Sequence, residues 1–209
     1  MRYLGKTGYT SMPWRNGKGV TLEIARVPAP PAEFDWRLSL ASLDNDGPFS
    51  SYPTYQRVVV LVEGAGFTLD FADGSSQRLA EPGAAAVFQG DAEVACRLHD
   101  GPCRDLSLMV RAPGTVLAVQ LLDPTQRFSL PAAVGAQRAV FGLAGQSELV
   151  RNDLTGPADN AVTLLATGDC ILLEETDGEA ALAPTGAGSR ALLLEWTHFQ
   201  SRTQRAHAP

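Results

Sequence analysis

Hydrophobic and polar residues alternate along most of this chain in short runs. Val20, Leu22 and Ile24 point one way, Thr21 and Glu23 the other. Trp36, Leu38 and Leu40 alternate with Arg37, Ser39 and Ala41, and Phe67, Leu69 and Phe71 with Thr68 and Asp70. Ala92, Val94, Cys96 and Leu98 alternate with Glu93 and Arg97. Leu106, Leu108 and Val110 alternate with Asp105, Ser107, Met109 and Arg111. Arg57 leads into Val58 to Val62, an unbroken apolar run of the kind that a fully buried strand carries. Asp44 to Pro48, Asp73-Gly74, Glu81-Pro82-Gly83, Gly90-Asp91 and Asp100-Gly101-Pro102 supply the turns. No long amphipathic helical period appears. The pattern predicts an all-β protein, a sandwich or jelly-roll barrel.

Ala112-Pro113-Gly114 interrupts the alternation, which resumes at Val116 to Leu122. This divides the chain into residues 1–114 and 115–209. The second half is less regular. Pro131 to Gly145 is rich in small residues and reads as loop. Val162 to Ala166, Gly168-Asp169 and Cys170 to Leu173 resemble Val58 to Val62, Gly64, Gly66 and Phe67 to Leu69, which suggests an internal repeat of strand, glycine turn and strand. Ala191 to Trp196 reads as the final strand, and Ser201 to Pro209 as a frayed tail.

Composition narrows the function. The 209 residues are 44% apolar, which fits a globular chain. Seventeen basic against 23 acidic residues give a net charge of −6, which argues against a nucleic-acid surface. No apolar run approaches the roughly 18 residues of a membrane span. Met1 to Thr10 lacks the apolar core of a signal peptide. Cys96, Cys103 and Cys170 are odd in number and far apart, so they read as reduced thiols of a cytoplasmic protein.

Three histidines, His99, His198 and His207, form no His-X-His pair, so neither a metal nor a cofactor is expected. No serine stands in a Gly-X-Ser-X-Gly elbow, and Ser50, Ser51 and Cys103 read as loop hydroxyls and a core-edge thiol. Polar residues on alternating strands remain. Thr21 with Glu23, Arg37 with Ser39, and Asp105 with Ser107 each share one strand face. By alternation alone, these faces are either the solvated side of a sandwich or the polar interior of a ligand-holding barrel. In a barrel, Arg15, Lys18, Arg37 and Arg57 would offer cationic donors, and an arginine can grip a carboxylate with two parallel bonds.

Met12-Pro13-Trp14-Arg15-Asn16-Gly17, Gly19, Thr21 and Glu23-Ile24 resemble the N-terminal signature of the HutD/Ves family. Trp36-Arg37-Leu38-Ser39 is similar to that family's Trp-Arg-X-Ser strand. Gly47-Pro48-Phe49-Ser50, Pro53 and Arg57 are similar to its Gly-Pro-Phe-Ser-X-Phe-Pro-Gly-X-X-Arg loop. Phe88 to Asp91 and Gly101-Pro102 with Asp105 to Met109 match two further segments, so the likeness runs from Met12 to Arg111. Lys18 and Thr54 stand where the family usually has Gly, and Ser107 where it usually has Asn.

The resemblance implies a bicupin, two fused antiparallel β-barrel halves. It also implies a regulatory protein of histidine utilisation that binds a small molecule. The expected ligand is a small carboxylate such as formate or urocanate. Arg15, Arg37 and Arg57 would clamp it, while Asn16, Thr21, Ser39, Ser50 and Ser107 would orient it. Trp14 would wall the pocket, and Glu23 and Asp105 would hold the arginines in place. No residue is assigned a catalytic role. The alternatives are a metal-free cupin enzyme with Glu23 or Asp105 as general base, and a stress-related Ves-like protein. A homodimer is compatible with this reading.

Overall fold

Strand follows strand through the computed structural model, which describes residues 1–13, 19–28, 33–122, 125, 127–132, 134–152, 162–174 and 177–197. A 3₁₀ turn, Lys6–Gly8, lies between the first two strands. The first half contributes β1 (Arg2–Leu4), β2 (Thr10–Pro13), β3 (Val20–Val27), β4 (Trp36–Leu43), β5 (Gly47–Pro48), β6 (Tyr55–Glu63), β7 (Phe67–Phe71), β8 (Ser76–Leu79), β9 (Ala85–Gln89), β10 (Val94–Leu98) and β11 (Cys103–Arg111). The second contributes β12 (Val116–Leu122), β13 (Phe128–Leu130), β14 (Gln137–Ala144), β15 (Gln146–Asn152), β16 (Val162–Ala166), β17 (Cys170–Leu173), β18 (Glu179–Pro184) and β19 (Arg190–Trp196). No helix of the described residues is long and apolar enough to cross a membrane.

Each half pairs a large sheet with a small one. The first has the order β2-β3-β4-β11-β6-β9 with β5-β10-β7-β8, and the second β1-β17-β14-β19-β12 with β13-β18-β15-β16. All pairings are antiparallel, as expected for jelly-roll barrels. The first strand crosses over: Arg2–Leu4 pairs with Cys170–Leu173 and so completes the sheet of the second half. Tyr3 and the Lys6 amide both donate to Asp169, which ties this crossover to the turn before β17.

The largest apolar cluster lies between the halves. Trp36, Leu38, Val58, Val60, Leu106 and Leu108 from one large sheet meet Phe141, Leu172, Leu192, Leu194 and Trp196 from the other. Trp36 and Trp196 touch edge to face with ring centroids 5.0 Å apart. The opposite face of each large sheet looks into its own barrel. In the second barrel this interior is aliphatic, with Leu130, Val140, Leu149, Ile171 and Leu182. In the first it is apolar only around Val59, Leu61, Phe67, Leu69 and Leu79. The unbroken run at Val58 to Leu61 therefore serves two cores, as strands buried on both faces do.

Two expectations need correction. Gln137–Ala144, within the segment read as loop, is a central strand between β17 and β19. Ala139 and Phe141 face the core between the halves and Val140 the second barrel, so no polar alternation marks the strand. The internal repeat is real but shifted in phase. β6 lies in a large sheet and leads into a small one, whereas β16 lies in a small sheet and leads into a large one. By sheet position β6–β7 corresponds to β14–β15, and β8–β9 to β16–β17. Glycine turns join both kinds of strand pair, so the punctuation alone could not fix the phase.

Trp196 is fully buried at the junction of the halves. Trp196→Ala should lower stability by about 3–5 kcal/mol, the usual cost of emptying a large aromatic site. Trp196→Phe should lose much less, because its indole N–H has no hydrogen-bond acceptor among the described residues. Urea unfolding of the three proteins checks this.

Candidate functional site

Strand register arranges the interior face of the first large sheet into rows. Arg26, Arg37, Met109, Arg57 and Phe88 are successive cross-strand partners and form the first row. Glu23, Ser39, Ser107, Val59 and Ala86 form the second. Thr21, Ala41, Asp105 and Leu61 form the third. Rows two residues apart along a strand lie roughly 6.6 Å apart. The wall thus runs from cations through hydroxyls to a carboxyl. The loop between β5 and β6 covers it, leaving a cavity of about 760 Å³.

Of the residues expected at a site, Thr21, Arg37, Ser39, Ser50, Arg57, Asp105 and Ser107 line this one cavity. Their strand face is neither solvated nor a sandwich exterior, because the opposite face is committed to the other half. Glu23 is the exception: it shares the second row but does not border the cavity. Its strand bulges between Glu23 and Ala25, which re-aims the chain there. Trp14, Arg15, Asn16 and Lys18 lie outside the described residues, but Met12 and Pro13 just before them border the cavity.

The arginines are not held as expected. Among the described residues no carboxylate lies within 4.0 Å of Arg37 or Arg57, so Glu23 and Asp105 form no ion pair with them. Aromatic faces hold them instead. The Arg37 guanidinium carbon stands 4.9 Å from the Phe34 ring centre and 5.5 Å from that of Tyr52. That of Arg57 stands 5.1 Å from Phe49, 5.6 Å from Tyr52 and 5.3 Å from Phe88. Arg57 also donates from Nη1 to the Ser50 carbonyl at 2.9 Å, so Ser50 contributes its main chain there. Nε of both arginines is buried and has no acceptor among the described residues. Phe34, Phe49 and Tyr52 are parts of the site that alternation could not reveal, because they lie in loops.

Asp105 is 2% exposed, and its Oδ1 has no hydrogen-bond partner among the described residues. Burial pushes its carboxyl up to about 7, against the opposing pull of the Arg57 guanidinium and the Ala41 main chain. Burial lowers the Arg57 pKa, and the nearby Asp105 charge partly offsets this. The Ser107 hydroxyl is also buried, with no partner among the described residues. Orphaned groups of this kind on a cavity wall are open to a ligand. A divalent metal does not fit: the wall offers one carboxylate, no imidazole and two guanidiniums. No group of three His, Cys, Asp or Glu among the described residues could hold a metal ion. His99 meets Thr68 through Nε2 at 2.9 Å, and His198 and His207 lie outside the described residues.

The loop over the cavity is pinned to the turn after β9. The Tyr52 amide donates to the Gly90 carbonyl at 2.7 Å, and the Gly90 amide to the Tyr55 carbonyl at 2.7 Å. A Cβ on Gly90 would stand 2.3 Å from the Tyr52 carbonyl oxygen, so only glycine allows this approach. In the same loop Thr54 has φ +69°, a left-handed conformation that is costly for a β-branched residue.

The two antiparallel barrels, with a polar cavity in one of them, define a protein of the bicupin fold class. Within that class the chain belongs to the HutD family, whose model matches residues 6–193. It is 32% identical over 178 residues to a 21.2 kDa Pseudomonas putida protein in the hutC 3′ region, covering 85% of this chain and 88% of that one. It is 35% identical over 113 residues to the protein Ves of Escherichia fergusonii, covering 54% and 59%. The structure of HutD from Pseudomonas fluorescens, solved in a formate condition, superposes with a TM-score of 0.76 at 30% identity, covering 95% of this chain and 99% of that one. A cupin barrel protein of Leptotrichia buccalis, at 11% identity and a TM-score of 0.54, shares the fold.

Two outcomes follow from this geometry. Between pH 3.8 and about 7 the folded protein keeps a proton on Asp105 that the unfolded chain has released. The stability linked to Asp105 is therefore fully present below pH 3.8 and declines as pH rises through about 7. Asp105→Asn should flatten this decline, as measured by urea midpoints at a series of pH values. Thr54→Gly should raise stability by about 0.5–1 kcal/mol by relieving the left-handed strain. A melting curve that shifts downward instead would show that Thr54 is held by contacts worth more than its strain.

Proposed function

We propose that this is a cytoplasmic small-molecule-binding regulatory protein of histidine utilisation that holds a small carboxylate in the first-barrel cavity. The observation that carries this reading is the pair Arg37 and Arg57, set on either side of Met109 on the cavity wall with no carboxylate within 4.0 Å among the described residues. Charges that are partly buried need compensation. A carboxylate ligand supplies it through charge-assisted hydrogen bonds. Formate would fill only the arginine end of the cavity. Urocanate, with a carboxylate at one end and an azole at the other, would extend past Ser39 and Ser107 toward Asp105. The P. putida relative in the hutC 3′ region supports the link to histidine utilisation.

One observation favours a second reading, a metal-free cupin enzyme. Asp105 is poised near neutrality inside the cavity, where a general base is most effective. Glu23 does not border the cavity, so that role falls to Asp105 alone.

Calorimetric titration with formate and urocanate tests the first reading. Arg37→Ala should weaken binding by about ten- to a hundredfold, as loss of a contact of roughly 1.5–3 kcal/mol implies. Arg37→Lys should recover part of this, because an ammonium cannot offer a planar fork. Equal affinities in a folded Arg37→Ala protein would remove Arg37 from the site, and no binding by the wild type would remove this choice of ligand. Turnover of urocanate by the wild type but not by Asp105→Asn would favour the enzyme.

A further inference from the structure

Arg37 and Arg57 flank Met109 in one row of the sheet, so two like charges face each other across a single strand. Their repulsion is felt: Arg37 lowers the pKa of Arg57. The Asp105 charge offsets this only through space and only in part, so the pair needs a further support in direct contact. The two arginines have one ring in common, that of Tyr52, at 5.5 and 5.6 Å from the guanidinium carbons. Their separation therefore cannot exceed about 11 Å. The ring packs with Met109, Phe34 and Tyr55, and the main chain of Tyr52 is locked to Gly90.

We propose that Tyr52 is the positioning residue of this site, its ring serving as a shared π-face that keeps both guanidiniums in place, charged and free to bind an anion. The physical reason lies in the difference between a ring and a carboxylate. An aromatic face attracts a cation through its quadrupole. It adds no net negative charge and does not accept N–H bonds as strongly as a carboxylate does. A carboxylate in the same position would neutralise one arginine and occupy the edge that the ligand needs. Phe49 and Phe88 serve Arg57 alone, and Phe34 reaches Arg37 and Arg26. Among the described residues Tyr52 is the one ring that contacts both cavity arginines. The role requires the ring and not its hydroxyl.

This inference rests on the carboxylate reading, and the test separates the two. Formate is titrated into the wild type, Tyr52→Phe and Tyr52→Leu, each first shown to be folded. Tyr52→Phe should bind within about twofold of the wild type, and Tyr52→Leu about tenfold more weakly, given two lost cation–π contacts. In parallel, without ligand, the effect of Arg57→Met on the unfolding constant is measured in the wild-type and Tyr52→Leu backgrounds. The effects should differ by about threefold. The same cycle with Arg37→Met should show coupling to the same ring. Additive effects in both cycles would overturn the proposal, as would unchanged formate affinity in Tyr52→Leu. An equal loss in Tyr52→Phe and Tyr52→Leu would overturn it in favour of the hydroxyl. Coupling in the cycles without formate binding by the wild type would uphold the role of Tyr52 in holding the arginines and remove formate as the ligand.

Discussion

The large sheet of the first half has no free face, and the rest of the site depends on that constraint. One side is taken by Trp36, Leu38, Val58, Leu106 and Leu108, which pack on the second half. The polar residues of the same strands must then point into the barrel. Burying Asp105, Ser107 and the arginines costs free energy unless they find partners. The packing between halves supplies the offsetting gain, since each large apolar side chain removed from water contributes on the order of 2 kcal/mol. The second barrel shows the alternative outcome: with aliphatic residues at its interior positions it becomes a second core.

Within the cavity, charge is arranged by distance and not by contact. Arg57 stabilises the Asp105 charge through space without forming an ion pair. Burial outweighs this help and leaves the carboxyl near neutrality. The arginines are compensated by ring faces, which leaves the cavity net positive at its first row. A wall that is cationic at one end and weakly acidic at the other is polarised along the strand direction. It can orient a molecule whose own ends differ.

The motif segments acquire a common physical meaning. The Gly47 to Arg57 loop and the Phe88 to Asp91 turn are two sides of one clamp, joined through Gly90. Phe49, Tyr52 and Phe88, contributed by these two segments, surround Arg57. The strand segments from Trp36 and from Asp105 supply the rows beneath. Thr54, where the family usually has glycine, occupies the left-handed conformation that a glycine would adopt without strain.

Period-two alternation determined much of this protein by itself. It fixed an all-β chain, most strand positions, and the sharing of faces by Thr21, Arg37, Ser39, Asp105 and Ser107. Alternation states which residues lie together on a strand but not which face meets water, and that choice was made by the packing of the second half. Register, set by pairing between strands distant in sequence, aligned Arg37 with Arg57 across Met109. Gln137–Ala144 was illegible because a strand buried on both faces has no polar alternation, and the repeat was misphased because all its turns look alike. Tyr52, Phe34 and Phe49 lie in loops, which carry no periodicity, so only the tertiary structure could bring their rings to the arginines.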